Sequence, residues 1–290
     1  MANTNLHLAR KSKNDEFYTQ YKDIEKELSN YDISNRVVYL PCDDYRKSDF
    51  WKFFEEHFER LGLKGLYATC YGNDPVGASI VDGVKREWHL TGDGDFRSDE
   101  CKQYFDLCDT VITNPPFSLF RDFFSLLIES VKGFLIVGNM NAVTYENVTD
   151  HIRKNEVWLG VSPRCMDFIT DEGYIININS CWFTNFHHKK QNKVIKLSKN
   201  YEHEHYEKFD NYNVVNVNKV KDIPKDYYGP IAVPITFLCQ YNPNQFEILH
   251  CDDYVTNPLI RRKKHGLIKD AEATINGKAT YVRVIIKIIR

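Results

Sequence analysis

Thr110-Val-Ile-Thr-Asn-Pro-Pro-Phe117 is the stretch whose reading decides the fold. Its first four residues form a short β-branched run that predicts a strand, and two successive prolines end it by removing backbone donors and forcing an extended path. A helical pattern follows from about Leu119 to Ser130, and then the apolar run Phe134 to Val137 predicts the next strand. Upstream the same punctuation recurs. Arg36-Val-Val-Tyr-Leu40 reads as a strand stopped at Pro41. Ser48 then caps a helix whose apolar positions Trp51, Phe54, Phe58 and Leu61 fall at helical spacing before Gly62. A further strand, Gly65 to Tyr71, runs into the turn Gly72-Asn-Asp-Pro75, and the tight acidic turn Gly92-Asp-Gly-Asp95 follows Trp88-His-Leu90. Strands alternating with helices predict an α/β fold, a mostly parallel sheet with helices on both faces, whose ligands gather at the carboxyl ends of the strands.

Beyond Asp150 the pattern changes. Val157 to Val161, Tyr174 to Ile178 and Cys181 to Phe186 read as short strands, and residues 187–228 are polar and rich in Lys, Asn and Tyr, with Val214-Val-Asn-Val217 the one clear strand signal. Apolar sequence returns at Ile231 to Leu238, and Thr280 to Ile289 reads as a terminal strand. The expected organisation is therefore a core over residues 1–186 and an appended or inserted region over 187–290, with segments 229–247 and 280–289 returning to the core.

Composition narrows the function classes. The 290 residues carry 38 Lys+Arg against 40 Asp+Glu, a net charge of −2, which argues against a protein that holds nucleic acid by bulk positive charge. At 42% hydrophobic and 14% aromatic the chain is too apolar to be disordered. No run approaches the roughly 18–20 apolar residues of a membrane span, so no membrane role is expected. The start, Met1-Ala-Asn-Thr-Asn-Leu-His-Leu-Ala-Arg10, lacks the apolar stretch of a secretory signal. Eight cysteines without a CxxC pair read as reduced cytoplasmic thiols. His187-His188 and His203-Glu-His205 have no Cys or Asp partners at ligand spacing, so no metal is expected and a solvated loop is the reading.

Asn114-Pro115-Pro116-Phe117 also carries chemistry. A strand-ending turn explains the prolines but neither the amide before them nor the aromatic after them. Methyl transfer to a planar amino group explains both. An exocyclic amine such as adenine N6 delocalises its lone pair into the ring and is a poor nucleophile. The Asn114 side-chain oxygen and the Pro115 carbonyl can each accept one N–H, turning the lone pair towards an electrophilic methyl, while Phe117 stacks on the base. A base within a duplex must be flipped out to reach such a pocket, which takes a few kcal/mol that stacking partly offsets.

Other segments carry a resemblance. Lys13-Asn-Asp-Glu-Phe-Tyr-Thr19, Leu40-Pro-Cys-Asp-Asp44, Gly92-Asp-Gly-Asp-Phe-Arg-Ser98, Asn114-Pro-Pro-Phe117 and Gly229-Pro-Ile-Ala-Val-Pro-Ile-Thr-Phe-Leu238 followed by Tyr241-Asn-Pro243 together resemble the EcoRI-type adenine-specific DNA methyltransferases. The motifs occur in that family's order from about residue 13 to 247. The resemblance implies a Rossmann-like class I methyltransferase fold with a target-recognition region, S-adenosylmethionine as methyl donor, duplex DNA as substrate, and a cognate restriction endonuclease acting on the same site. It implies that Tyr18 and Thr19 hold the methionine end of the cofactor, although Thr19 also suits a helix cap. Pro41, Cys42, Asp43 and Asp44 fill a turn where related enzymes carry a glycine-rich loop, with Asp43 favoured over Asp44 for the cofactor ammonium. Asp74 is the candidate for the ribose hydroxyls, in what is also an ordinary Asn-Asp-Pro turn. Asp95 would accept from the cofactor adenine amine and Phe96 pack on its ring or in the core, with Gly94 letting the backbone come close.

DNA contact is expected at Arg261, Arg262, Lys263 and Lys264, a basic run that reads equally as plain surface. Two further readings stand beside the first: methylation of RNA adenine or of a protein glutamine amide, and a catalytically idle nucleic-acid-binding module.

Overall fold

The computed structural model describes residues 17–130, 132–162, 164–170, 173–210, 212–251, 262–263, 266–267, 274–280 and 283–290. The chain divides into two compact units, Met1–Ala142 with Leu159–Lys189, and Val143–Trp158 with Lys190–Arg290.

In chain order the labelled strands are β1 (Tyr18–Thr19), β2 (Val37–Leu40), β3 (Gly65–Thr69), β4 (Val76–Val81), β5 (Val84–His89), β6 (Thr110–Thr113), β7 (Gly133–Asn139), β8 (Trp158–Leu159), β9 (Met166–Ile169), β10 (Ile175–Ile178), β11 (Ser180–Thr184), β12 (Val215–Asn216), β13 (Ile231–Pro234), β14 (Phe246–Cys251) and, in the last described stretch, β15 (Arg283–Ile288), with the two-residue strands Arg262–Lys263, Gly266–Leu267, Thr274–Ile275 and Lys278–Ala279 left without labels. The helices are α1 (Tyr21–Leu28), α2 (Asp49–Leu61), α3 (Asp99–Leu107), α4 (Phe120–Ser130) and α5 (Glu146–Arg153).

The main sheet has the order β5-β4-β3-β2-β6-β7-β11-β8. Its centre is parallel, with β2 between β3 and β6, and β6 beside β7. The β3–β4, β4–β5 and β7–β11 pairs are antiparallel, so the sheet is mixed rather than mostly parallel. The sequence reading missed the β4–β5 hairpin, although Asp82-Gly83 at its turn has φ of 52° and 72°, the left-handed pair that a two-residue hairpin demands. It was hidden because β5 is largely exposed and shows little apolar alternation, with Trp88 alone of its six residues half-buried, stacked on Tyr104 of α3 at 5.8 Å.

Successive strand residues point to opposite faces, and both faces are covered. Val38, Leu40, Leu66, Ala68 and Ile112 share one buried cluster with Ile24 and Leu28 of α1 and with Phe50, Trp51 and Phe54 of α2. On the other face Tyr39 meets Phe105 of α3 edge-on at 5.1 Å, and Phe134 meets Phe124 of α4 at 6.0 Å. Ser48 caps α2 as expected, accepting from the Phe50 and Trp51 amides, and Gly62 ends that helix in the left-handed region. A small sheet, β1-β9-β10, holds Tyr18 opposite Ile169.

The second unit carries the sheet β12-β13-β15-β14. Ile231–Leu238, read as one apolar run, is β13 only to Pro234, after which the chain turns into a 3-10 helix. Asp210 accepts from Thr274 Oγ1 and from the Asn276 and Gly277 amides, pinning the hairpin Thr274–Ala279. Of the basic run, Arg261 and Lys264 lie outside the described residues. Arg262–Lys263 is a two-residue strand antiparallel to Gly266–Leu267. Among the described residues no helix is long and apolar enough to cross a membrane.

Candidate active site

The first unit contains a cavity of about 470 Å³ at the carboxyl ends of the central parallel strands. Its walls come from the turns after β2, β3 and β6, from the acidic turn before α3, and from β1. Such a position, where neighbouring strands send the chain in opposite directions, is where open α/β sheets bind ligands. All fourteen residues assigned above to catalysis or to the cofactor line it, from Tyr18 and Thr19 through Asp43, Asp44, Asp74 and Asp95 to Asn114 and Phe117.

At the turn after β2 the two aspartates have different surroundings. Asp43 is buried and accepts from Ser48 Oγ and from Thr113 Oγ1, each at 2.6 Å, tying the α2 cap to the end of β6. Burial pushes its carboxyl up to about 6 despite these hydrogen bonds, and among the described residues no cation pairs with it. Asp44 is desolvated too, but accepts from the Arg46 backbone at 3.0 Å and its guanidinium at 2.8–2.9 Å, which holds its carboxyl below the usual range. Arg46 also reaches the Asp74 carboxylate, closing a bridge between the turns after β2 and β3, and His89 Nδ1 lies 3.2 Å from the same carboxylate.

Asp95 repeats the Asp44 pattern. It accepts from the Arg97 backbone at 2.8 Å and grips the guanidinium with both oxygens, which holds its carboxyl low. Phe96 packs edge-on against Phe123 of α4 at 4.9 Å. Gly94 has φ +78°, and a Cβ there would sit 2.0 Å from the Cys70 carbonyl oxygen, so only glycine lets the two turns meet.

Asn114 follows β6 directly. Its Nδ2 donates to the Phe17 carbonyl, while its Oδ1 is buried without a hydrogen-bond partner among the described residues. Thr19 Oγ1 is a second such atom on the same cavity. Buried acceptors are rarely left unmade without a reason, and both belong to residues of the cavity wall. The Pro115 ring is buried, and Leu119 donates its amide to the Pro116 carbonyl at 2.9 Å in the 3-10 turn that opens α4. Phe117 is only 6% exposed, packed against Phe17 at 5.8 Å and edge-on to Phe168 at 5.9 Å, with its remaining surface towards the cavity.

Sequence reading missed Phe17, Arg46, Lys47 and Arg97, which also line the cavity. The signal for the two arginines was present twice, as Asp44-Tyr-Arg46 and Asp95-Phe-Arg97. In each, the aspartate takes both the amide and the guanidinium two residues on. Lys47 Nζ lies over the Tyr18 ring at 5.0 Å.

A mixed α/β sheet of this kind, with an acidic cavity and an Asn-Pro-Pro-Phe turn at its strand ends, defines a Rossmann-like methyltransferase that acts on planar amino groups. Residues 5–89 and 76–288 match the family model described as "Adenine-specific methyltransferase EcoRI", and the chain belongs to that family. It is 41% identical to the type II methyltransferase M.EcoRI of Escherichia coli, over 97% of this chain and 95% of that protein. It is 36% identical to the type II methyltransferase M.MpnI of Mycoplasma pneumoniae, over 96% of each chain, and 35% identical to M.MgeORF184P of Mycoplasma genitalium, over 96% and 97%. No solved structure matches.

The enzyme is S-adenosylmethionine-dependent and specific for DNA adenine N6. The cavity fits that cofactor. Five carboxylates against three cations line it, suiting a molecule of net positive charge, and unmatched acceptor oxygens stand at Thr19 and Asn114.

Proposed function

We propose that this chain methylates N6 of a flipped-out adenine at a specific duplex site through Asn114, the Pro115 carbonyl and Phe117, with the cofactor held by Tyr18, Thr19, the 41–44 turn, Asp74 and the 94–96 turn. S-adenosylmethionine supplies an electrophilic methyl on sulfur. The protein's part is positioning and electrostatics. Asn114 Oδ1 and the Pro115 carbonyl each accept a hydrogen bond from one of the two amine N–H groups, which draws the nitrogen out of conjugation and aims its lone pair. Phe117 offers an apolar surface to the base. No general base is needed at the amine, because the nitrogen that gains a methyl becomes a strong acid and loses its proton to water. Asp43, with no cation paired to it among the described residues, takes the cofactor ammonium, since Asp44 is already held by Arg46. Asp95 accepts from the cofactor adenine amine beside Arg97.

The observation that carries this reading is the unmade acceptor at Asn114, a residue of the cavity wall whose amide nitrogen is already satisfied by the Phe17 carbonyl. Residues 1–186 would form the catalytic core and 187–290 the region that reads the DNA, with Arg261 to Lys264 on the phosphate backbone. An endonuclease of the same specificity is the partner this reading implies, and the cytoplasm the compartment. The test is labelled methyl transfer to duplex DNA, RNA and protein in parallel, with digestion to nucleosides. N6-methyladenosine from RNA, or label in protein alone, would refute it; N6-methyldeoxyadenosine from duplex DNA is the expected product.

A further inference from the structure

Asn114 poses a problem that its motif does not solve. A carboxamide presents an acceptor at one end and two donors at the other, and a half-turn about its last bond exchanges them at almost no change in shape. With the oxygen facing the cavity, Asn114 accepts from an amine. With the nitrogen there instead, donor would meet donor. Something outside the tetrapeptide must choose.

We propose that Phe17 is the positioning residue that makes this choice: its main-chain carbonyl captures Asn114 Nδ2 and thereby fixes Oδ1 as the group offered to the adenine amine. The proposal rests on the function given above and names how its central acceptor is aimed. Three observations carry it. Nδ2 donates to the Phe17 carbonyl across ninety-seven residues of sequence, while Oδ1 has no hydrogen-bond partner among the described residues. The Phe17 ring is itself fixed, with its centroid 5.8 Å from Phe117 and 6.3 Å from Phe168, in an aromatic cluster that includes the residue expected to face the base. The next two residues, Tyr18 and Thr19, are β1, held in register with Ile169 and Phe168 of β9 and lining the same cavity. The segment that bounds the cofactor side of the cavity is thus the same segment that orients the catalytic amide. Cofactor held against β1 would stiffen the carbonyl on which the amide depends.

The test separates donor from acceptor at one position. Asn114→Ala removes both, and should lower kcat at least ~100-fold with cofactor affinity unchanged within about threefold by calorimetry. Asn114→Asp keeps an acceptor, but its carboxylate cannot donate to the Phe17 carbonyl, so kcat at pH 8 should fall about as far. When that carboxyl is protonated its hydroxyl can donate to Phe17 while its carbonyl oxygen accepts from the amine, restoring the arrangement of the amide. The ratio of variant to wild-type kcat should therefore rise by about tenfold for each pH unit below 8 until the carboxyl is half protonated. The other carboxylates of the cavity, Asp43, Asp44, Asp49, Asp74 and Asp95, are present in both enzymes and divide out of the ratio to first order.

A kcat near wild type for Asn114→Asp at pH 8 overturns the proposal while leaving Asn114 as acceptor, and so does a low ratio that stays flat with pH. Near-normal kcat in Asn114→Ala overturns the catalytic role of Asn114 itself. Should Asn114→Asp not be recovered folded, Phe17→Leu carries the test. Loss of the ring contacts that hold its carbonyl should lower kcat at least ~5-fold with KM for DNA unchanged, and an unchanged kcat overturns the proposal.

Discussion

Cofactor affinity should depend on pH through Asp43. Its carboxyl is raised from 3.8 to about 6 by burial, with no cation among the described residues beside it to counter the desolvation. If the cofactor ammonium pairs with the ionised form, binding below pH 6 must first expel a proton. The observed dissociation constant then scales as one plus the ratio of protonated to ionised Asp43, which makes binding about tenfold weaker at pH 5 than at pH 7. About half a proton should be released per cofactor bound at pH 6. A free α-amino group titrates near 8, so the ligand itself stays charged across this window. Calorimetry in two buffers of different ionisation enthalpy measures both quantities. Asp43→Asn should abolish the proton release and the pH dependence together, and should bind at least ~10-fold more weakly at pH 7. The same group shapes stability with the opposite sign from a paired carboxylate. Its folded value lies above its unfolded one, so its contribution is fully present below about pH 4 and is lost as pH rises through about 6. The loss is on the order of 3 kcal/mol for the cofactor-free protein and should vanish in Asp43→Asn. A wild-type affinity that is flat from pH 5 to 7, with no proton released, would refute the assignment of Asp43 to the ammonium.

Asp95→Ala should weaken S-adenosylmethionine by about 1–3 kcal/mol, because it removes a desolvated acceptor and frees Arg97 to compete for space; calorimetric affinity unchanged in a folded variant would move the adenine site elsewhere. Gly94→Ala should lose at least ~2 kcal/mol of stability in denaturant titration, the sum of a left-handed backbone and a Cβ driven against the Cys70 carbonyl, and equal midpoints for variant and wild type would count against the described contact of the two turns. Changing Arg261, Arg262, Lys263 and Lys264 together to Gln should weaken cognate and random duplex by similar factors and flatten the plot of log K against log salt by about 2–4 units. A slope that does not move would take the DNA backbone away from this run.

What the sequence made legible, and what it hid, follows from the range over which each signal acts. β2, β6, β7, the Ser48 cap and the Gly62 stop were readable because each rests on residues within one turn or one strand of each other. The β4–β5 hairpin had a local signal in Asp82-Gly83, but it was outweighed by a strand with five of its six residues exposed, so its pairing partner and not its own pattern fixes its conformation. The site shows the same division. Fourteen lining residues were reachable from motifs, since a motif names the atoms that chemistry requires. Phe17 was not, although it stood inside a quoted segment, because what it contributes is a main-chain carbonyl, and every residue has one. Only the antiparallel pairing of β1 with β9 and the wedge of three phenylalanines give that carbonyl its address. Arg46 and Arg97 fall between these cases. Their aspartates were named for a ligand, and the arginine two residues on is what keeps each carboxylate ionised and aimed in the ligand's absence. A carboxylate expected to bind a ligand therefore predicts a nearby partner that holds it in the meantime, and the exception, Asp43, is the one whose proton should leave when the cofactor arrives.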